Sequence, residues 1–430
     1  MTLEQSYRPS VRYHSLDAVR AFALLLGVVF HAAESFETEA AQYWAIGDNS
    51  PSLALDVFRH TSHSFRLELF FLIAGFFAHF LWTKRGIGAF IRNRISRILI
   101  PLVVGWAIIY PILVFIWLSG AAKSGNWDII GVPEEARMVA PAMLTIGFFL
   151  SLGFLQKFDL THLWFLHQLL VIYTLALGLR FAVKRLPGAG KGLVKGLDAG
   201  FRAIVSSPWQ VPVFALMSMP FLYTQRGWSV DTPKESLIPD PAPTLLFSFI
   251  FAVGWALHRQ TDLLDSVAGR WKPHLILGAA LIPVTRFPTW HLYHLGLFEQ
   301  YGTPIRLGHY LFYGLMMWAF ILGFLGLFLR VRRTESATWR YIADSSYWIY
   351  IAHLPIVVAL QVWVARWDLH WSFKFLLINA IAFPVLFLSY HFLVRPTFIG
   401  KQLNGRRYPF VFPFRRSARA EHARSAVSGG

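Results

Sequence analysis

About ten stretches of this chain approach the roughly 20 mostly apolar residues that match the hydrocarbon core of a bilayer, and that constrains its fold more than any other feature. They run over 16–35, 65–83, 98–120, 161–183, 209–224, 243–258, 273–290, 308–330, 345–366 and 371–394. Hydrophobic residues make up 55% of the 430, and the mean hydropathy is +0.47. Charged residues are only 15%, against roughly 25% in soluble domains. So little polar surface cannot cover a water-soluble fold of this size. The expectation is an all-α membrane protein of about ten transmembrane helices.

The net charge of +17 raises the question of nucleic acid, whose partners carry a basic patch. Here the cations fall in short clusters between apolar stretches, as at Lys84, Arg85, Arg92, Arg94 and Arg97. That placement follows the positive-inside rule and excludes nucleic acid as the partner. The basic segments 84–97 and 184–202 then share the cytoplasmic side, so an even number of crossings separates them. Stretches 98–120 and 161–183 already supply two. The further apolar segment 138–156 is therefore expected at the outer face, re-entrant or interfacial. Both termini are expected in the cytoplasm. Residues 1–395 read as one transmembrane domain, and the basic tail 396–430 as largely disordered. No repeat of fixed period is visible. The first stretch, with Asp17 and Arg20 in it, reads as a retained helix, not a cleaved leader.

Ionisable groups inside a membrane are costly, so each is a candidate for function. Arg20 and His31 stand eleven residues apart on the first stretch, about 16 Å along a helix. Eleven steps of about 100° return to within about 20° of the same face, so both can line one path. Such a path suits a phosphopantetheine thioester: arginines hold its phosphates, and the arm carries the acyl group to His31. Imidazole titrates near working pH and can take the proton of an attacking hydroxyl. There is no cysteine, so no acyl-cysteine intermediate forms. The bland alternative has Arg20 reaching to the interface and His31 at a helix end.

Five stretches in order resemble the membrane acyltransferase-3 family. They are Leu16-Asp17 through Arg20-Ala21 to Phe30-His31; His63-Ser64-Phe65-Arg66 with Phe70 to Phe76; Arg92, Arg94 and Arg97 before Pro101; His162 to Leu166; and Ser346 to Pro355. The resemblance covers most of residues 12–395, and within the family it lies nearest a branch that succinylates periplasmic glucans. It implies a multi-pass protein of the bacterial inner membrane. It further implies a succinyl-CoA (or other acyl-CoA) donor, no permanently bound cofactor, and a sugar hydroxyl of a periplasmic glucan as acceptor. A homo-oligomer is compatible with it. One departure is Ala74, where much of the family has serine, so a serine nucleophile is not required.

The remaining polar residues are assigned beside these. His31 is the expected base, with Glu68 either the carboxylate that orients it or an interfacial partner of Arg66. Arg20, Arg94 and Arg97 are expected on the donor phosphates. Trp164, His167, Tyr350 and His353 are expected along the donor path, against a default of core packing. His63, Arg66 and Arg286 are expected at the acyl carboxylate or the acceptor, with Arg66 equally able to meet lipid or a loop acid. His291 and His294 have no third ligand at suitable spacing, so no metal is expected. The rival reading is a transporter or flippase using the same polar path without chemistry. Pro111, Pro283 and Pro384 within stretches keep it open.

Overall fold

The computed structural model describes residues 13–185, 189–295, 298–331 and 336–409, and these are helical with no strand among them. In chain order the helices are α1 (His14–Ala33), α2 (Leu53–His63), α3 (Arg66–Arg94), α4 (Ile100–Ser124), α5 (Pro141–Leu150), α6 (Gly153–Gln156), α7 (Trp164–Lys184) and α8 (Ala189–Ser206). They continue as α9 (Gln210–Tyr223), α10 (Pro241–Arg259), α11 (Leu263–Gly269), α12 (Trp271–His294), α13 (Phe298–Val331), α14 (Ala337–Val364), α15 (Trp371–Ser389) and α16 (Phe398–Asn404).

Each of the ten apolar stretches lies on a helix, and among the described residues seven stretches are long and apolar enough to cross a membrane. The two numbers differ in three places. One of the seven, Leu53–Ser124, holds both α3 and α4 in 72 residues. As a single rod it would run about 108 Å, more than three bilayer cores. Helix α9 has only 14 residues, and α12 carries Lys272, His274 and Arg286. On α4, Val103, Val104, Ile108, Ile112 and Phe115 stay exposed along one face, as a lipid-facing stripe requires. The segment 138–156 forms two short helices joined at Leu152, with α5 only ten residues long. Its length of about 15 Å is half the thickness of a bilayer core.

Close packing sets the helices around one polar interior. Helices α3 and α10 cross where Gly75 meets the Phe251 carbonyl and Gly254 meets the Leu72 carbonyl. An added Cβ would fall 2.0 Å and 1.8 Å from those oxygens. Small residues let the backbones touch, the usual device for helix pairs in lipid. Helix α1 lies inside, packed on α14, α3 and α13, and buries Leu16, Val19, Val28 and Phe30. The basic segment after α7 forms the amphipathic α8, tied down by Arg202–Asp262 and Arg259–Asp198 ion pairs. Of the basic tail, residues 396–409 are ordered and dock on the bundle through α16; the stretch beyond Phe414, where disorder was expected, lies outside the described residues.

Candidate active site

Helix α1 runs unbroken from His14 to Ala33, so Arg20 and His31 do stand about 16 Å apart on one axis. At the far end His31 Nδ1 meets Glu34 Oε2 at 2.6 Å. With a proton on Nδ1 donated to that carboxylate, the lone pair sits on Nε2, which has no hydrogen-bond partner among the described residues. Two side chains hold this end in place. Gln361 Nε2 donates to the carbonyls of His31 (2.7 Å), which also accepts the Glu34 N–H, and Ala32 (3.2 Å) at the end of α1. Its Oε1 accepts from Trp44 Nε1 at 2.9 Å. That bond lays the indole parallel to the His31 ring, 6.0 Å between centroids.

A second and third histidine face the same space. The His353 ring lies 5.2 Å from His31 and 5.0 Å from His162. Pro355 has no N–H to return to the Ile351 carbonyl four residues back. His162 Nε2 donates to that freed oxygen at 3.0 Å. His353 Nδ1 is spent on the Tyr350 carbonyl at 2.7 Å, which leaves its buried Nε2 without a partner. Buried polar atoms are nearly always satisfied, so such an orphan marks a place for a ligand.

Arg66 closes the cluster. It is 6% exposed, its Nε has no partner, and it makes no ion pair among the described residues. The guanidinium lies 4.0 Å from the Phe30 ring centre, one residue before His31. His63 packs on the other side of Phe30 at 5.9 Å, its Nδ1 also unpartnered. Above them Glu37 pairs with Arg59. Burial pushes the Glu37 carboxyl up to about 7 against the pull of Arg59.

From here a ladder of rings leads to the basic end. Tyr350 stacks on Tyr347 at 6.3 Å and 7°, and the Tyr347 hydroxyl donates to the Arg97 carbonyl at 2.5 Å. That carbonyl is free because Pro101 lacks an N–H, and the chain widens into a π turn over Ile95–Leu99. Arg94 sits between Phe90 (4.8 Å) and Tyr173 (4.4 Å). Arg20, Arg85 and Arg94 all crowd Arg97 with like charge, and the one acid at hand is Asp17, 3.4 Å from Arg20. An imidazole–carboxylate pair at one end, a ladder of aromatic rings, and a cluster of guanidinium groups that outnumbers its acid at the other suit an anionic donor reaching a base.

The model of the acyltransferase domain matches residues 13–391. The chain belongs to the acyltransferase-3 family. It is also similar to the glucans biosynthesis protein C of Salmonella paratyphi B, Salmonella heidelberg and Salmonella enteritidis PT4, at 27% identity over 175 residues. The matched part is 40% of this chain and 40% of each relative. No solved structure matches.

Four of the residues singled out in the sequence have other surroundings than those expected. The carboxylate on His31 is Glu34, not Glu68, whose Oε2 lies buried without a partner. Trp164 packs on Phe247 in the core. His167 bonds to the backbone of Leu237 in the loop before α10, away from the ladder. Arg286 is already paired with Asp56 at 3.6 Å, and Asp56 also takes two hydrogen bonds from Thr38. The structure brings His31, His63, Arg66, Tyr350 and His353 together at one end, and Arg20, Arg94 and Arg97 at the other. The side chains of His291 and His294 lie outside the described residues. Glu34, Trp44 and Gln361 escaped the sequence reading, and Tyr347 stood in the Ser346 to Pro355 stretch without a role. Glu34 and Tyr347 left a signal there, since residues three places apart share a helix face.

Proposed function

We propose that this acyltransferase moves a succinyl group from succinyl-CoA at the arginine end to a sugar hydroxyl of a periplasmic glucan at the His31 end. One observation carries the reading: a His31–Glu34 dyad beside Arg66, a buried guanidinium with no ion pair among the described residues. His31 Nε2 takes the hydroxyl proton as the sugar oxygen attacks the thioester carbonyl. The new C–O bond forms, the C–S bond breaks, and the thiolate leaves with the proton returned from His31. Glu34 steadies the imidazolium between those steps. Arg66 grips the free carboxylate of the succinyl group, while Arg20, Arg94 and Arg97 hold the phosphates of the donor. The name of the Salmonella relatives supports a glucan as acceptor. A cytoplasmic donor at the basic end goes with ten crossings of the inner membrane and both termini inside.

The test uses the purified full chain in lipid nanodiscs with succinyl-CoA and short glucan oligosaccharides. Thiol release matched by succinylated oligosaccharide in the mass spectrum is the expected result. Donor binding without thiol release, together with passage of unmodified glucan across proteoliposomes that depends on the chain, would instead make it a transporter.

A further inference from the structure

The family domain ends at residue 391, yet the chain beyond it folds back onto the arginine turn of the candidate donor site. Gln402 Nε2 donates to the Ser96 carbonyl at 2.5 Å and to its hydroxyl at 2.9 Å, so α16 caps the π turn that carries Arg97. Gly405 then ends α16 in the left-handed region (φ +77°), its N–H bonded to the Lys401 carbonyl at 2.8 Å. The Arg97 guanidinium rests directly on Gly405: a Cβ there would fall 1.9 Å from Nη2. The strand of chain that follows is anchored in turn. Arg406 and the Tyr408 hydroxyl both reach Asp344 Oδ2, at 3.0 Å and 2.7 Å, and Asn404 donates to the Tyr390 hydroxyl at 3.0 Å.

These contacts have a physical consequence. Arg97 is crowded by the like charges of Arg20, Arg85 and Arg94, and repulsion drives such groups apart when no anion lies between them. A long arginine side chain also loses rotamer freedom on binding. A surface that holds Arg97 in place beforehand removes part of that loss, which is how preorganisation raises affinity. We propose that the segment 396–409, outside the family domain, is a clamp that positions Arg97 for the phosphate groups of the donor. Gly405 and Gln402 are its positioning residues. The inference rests on the reading of Arg97 as a donor contact.

The experiment measures the dissociation constant of succinyl-CoA and the saturated rate of thiol release for the full chain in nanodiscs. Arg97→Ala should weaken binding about tenfold, as loss of one charge-assisted contact does. Gly405→Ala, which pushes the guanidinium aside, should weaken it by a similar factor with the saturated rate within about twofold. In the Arg97→Ala background Gly405→Ala should add nothing, because its effect runs through Arg97. Gln402→Leu keeps Gly405 and should shift binding in the same sense by about threefold; it carries the test if Gly405→Ala lowers the melting temperature. Full additivity of the two changes, or equal loss of rate and affinity in both clamp variants, overturns the clamp alone. Unchanged affinity in Arg97→Ala overturns the donor role of Arg97, and the clamp with it.

Discussion

Lys374 and Arg66 are both buried cations near the loop 34–52, and they could hardly be treated more differently. Lys374 is 0% exposed and spends its three donors on Asp48 (2.5 Å), Asn49 (2.6 Å) and the Trp367 carbonyl (3.2 Å). Arg66 has five donors, yet it forms no ion pair among the described residues and leaves Nε unpartnered. The first arrangement uses every donor of the cation. It ties the loop that carries Glu37 and Trp44 to the start of α15. The second is incomplete, and it lies beside two imidazoles with free nitrogens. A buried charge whose partners are all present belongs to the scaffold; one without them is open to a ligand that brings the opposite charge. Arg286, paired with Asp56, falls on the scaffold side of that division.

The comparison breaks most visibly if the unpartnered group is not the chemical one. His31→Ala should lower the saturated rate of acyl transfer by about 10²–10⁴-fold, the usual range for a general base. The dissociation constant of succinyl-CoA, measured in parallel, should stay put. A turnover close to normal would return the whole cluster to a structural role.

Next in size is the scaffold cation. Lys374→Met strands Asp48 without its partner in the protein interior, a change that costs about 3–5 kcal/mol of stability. Thermal melting in detergent should show it, with the activity per folded molecule retained. A melt unchanged from the parent chain would mean that completeness of hydrogen bonding does not mark scaffold here.

Arg66→Met should behave in the opposite way. Removing an unpaired buried charge should leave the melt unchanged or raise it. Transfer from succinyl-CoA should fall by tenfold or more, since a hydrogen bond to a charged group is worth about 1.5–3 kcal/mol. Transfer from acetyl-CoA, which lacks the carboxylate, should be spared; equal losses with both donors would remove Arg66 from acyl recognition.

The smallest effect sharpens the other edge of the division. His167 bonds to the backbone of Leu237 and lies off the ring ladder, so His167→Ala should change donor affinity and saturated rate by less than about twofold, as substitutions away from such features do. A larger shift in affinity alone would extend the donor path to the face of α7 that carries it.

Much of this architecture was legible in the order of residues, for reasons that are local. Apolar stretches of bilayer length place helices wherever water is absent, because only there are backbone groups satisfied within one segment. Hence the helices at 16–35 or 371–394 needed no tertiary information. The shared face of Arg20 and His31 followed from helical geometry alone, and the arginines before Pro101 were visible as a cluster. The partners of these residues were another matter. Glu68 looked like the carboxylate for His31 because it starts a helix at similar depth, whereas Glu34 reaches the imidazole through the short turn that closes α1. Gln361 is 330 residues from the carbonyl it caps, and Gln402 is 306 from Ser96; no spacing rule connects them. Tertiary structure alone decided which buried ions were already neutralised, Arg286 and Lys374, and which was left open, Arg66. Helix formation depends on neighbours along the chain, while satisfaction of a buried charge depends on whichever distant side chain the packed bundle brings against it.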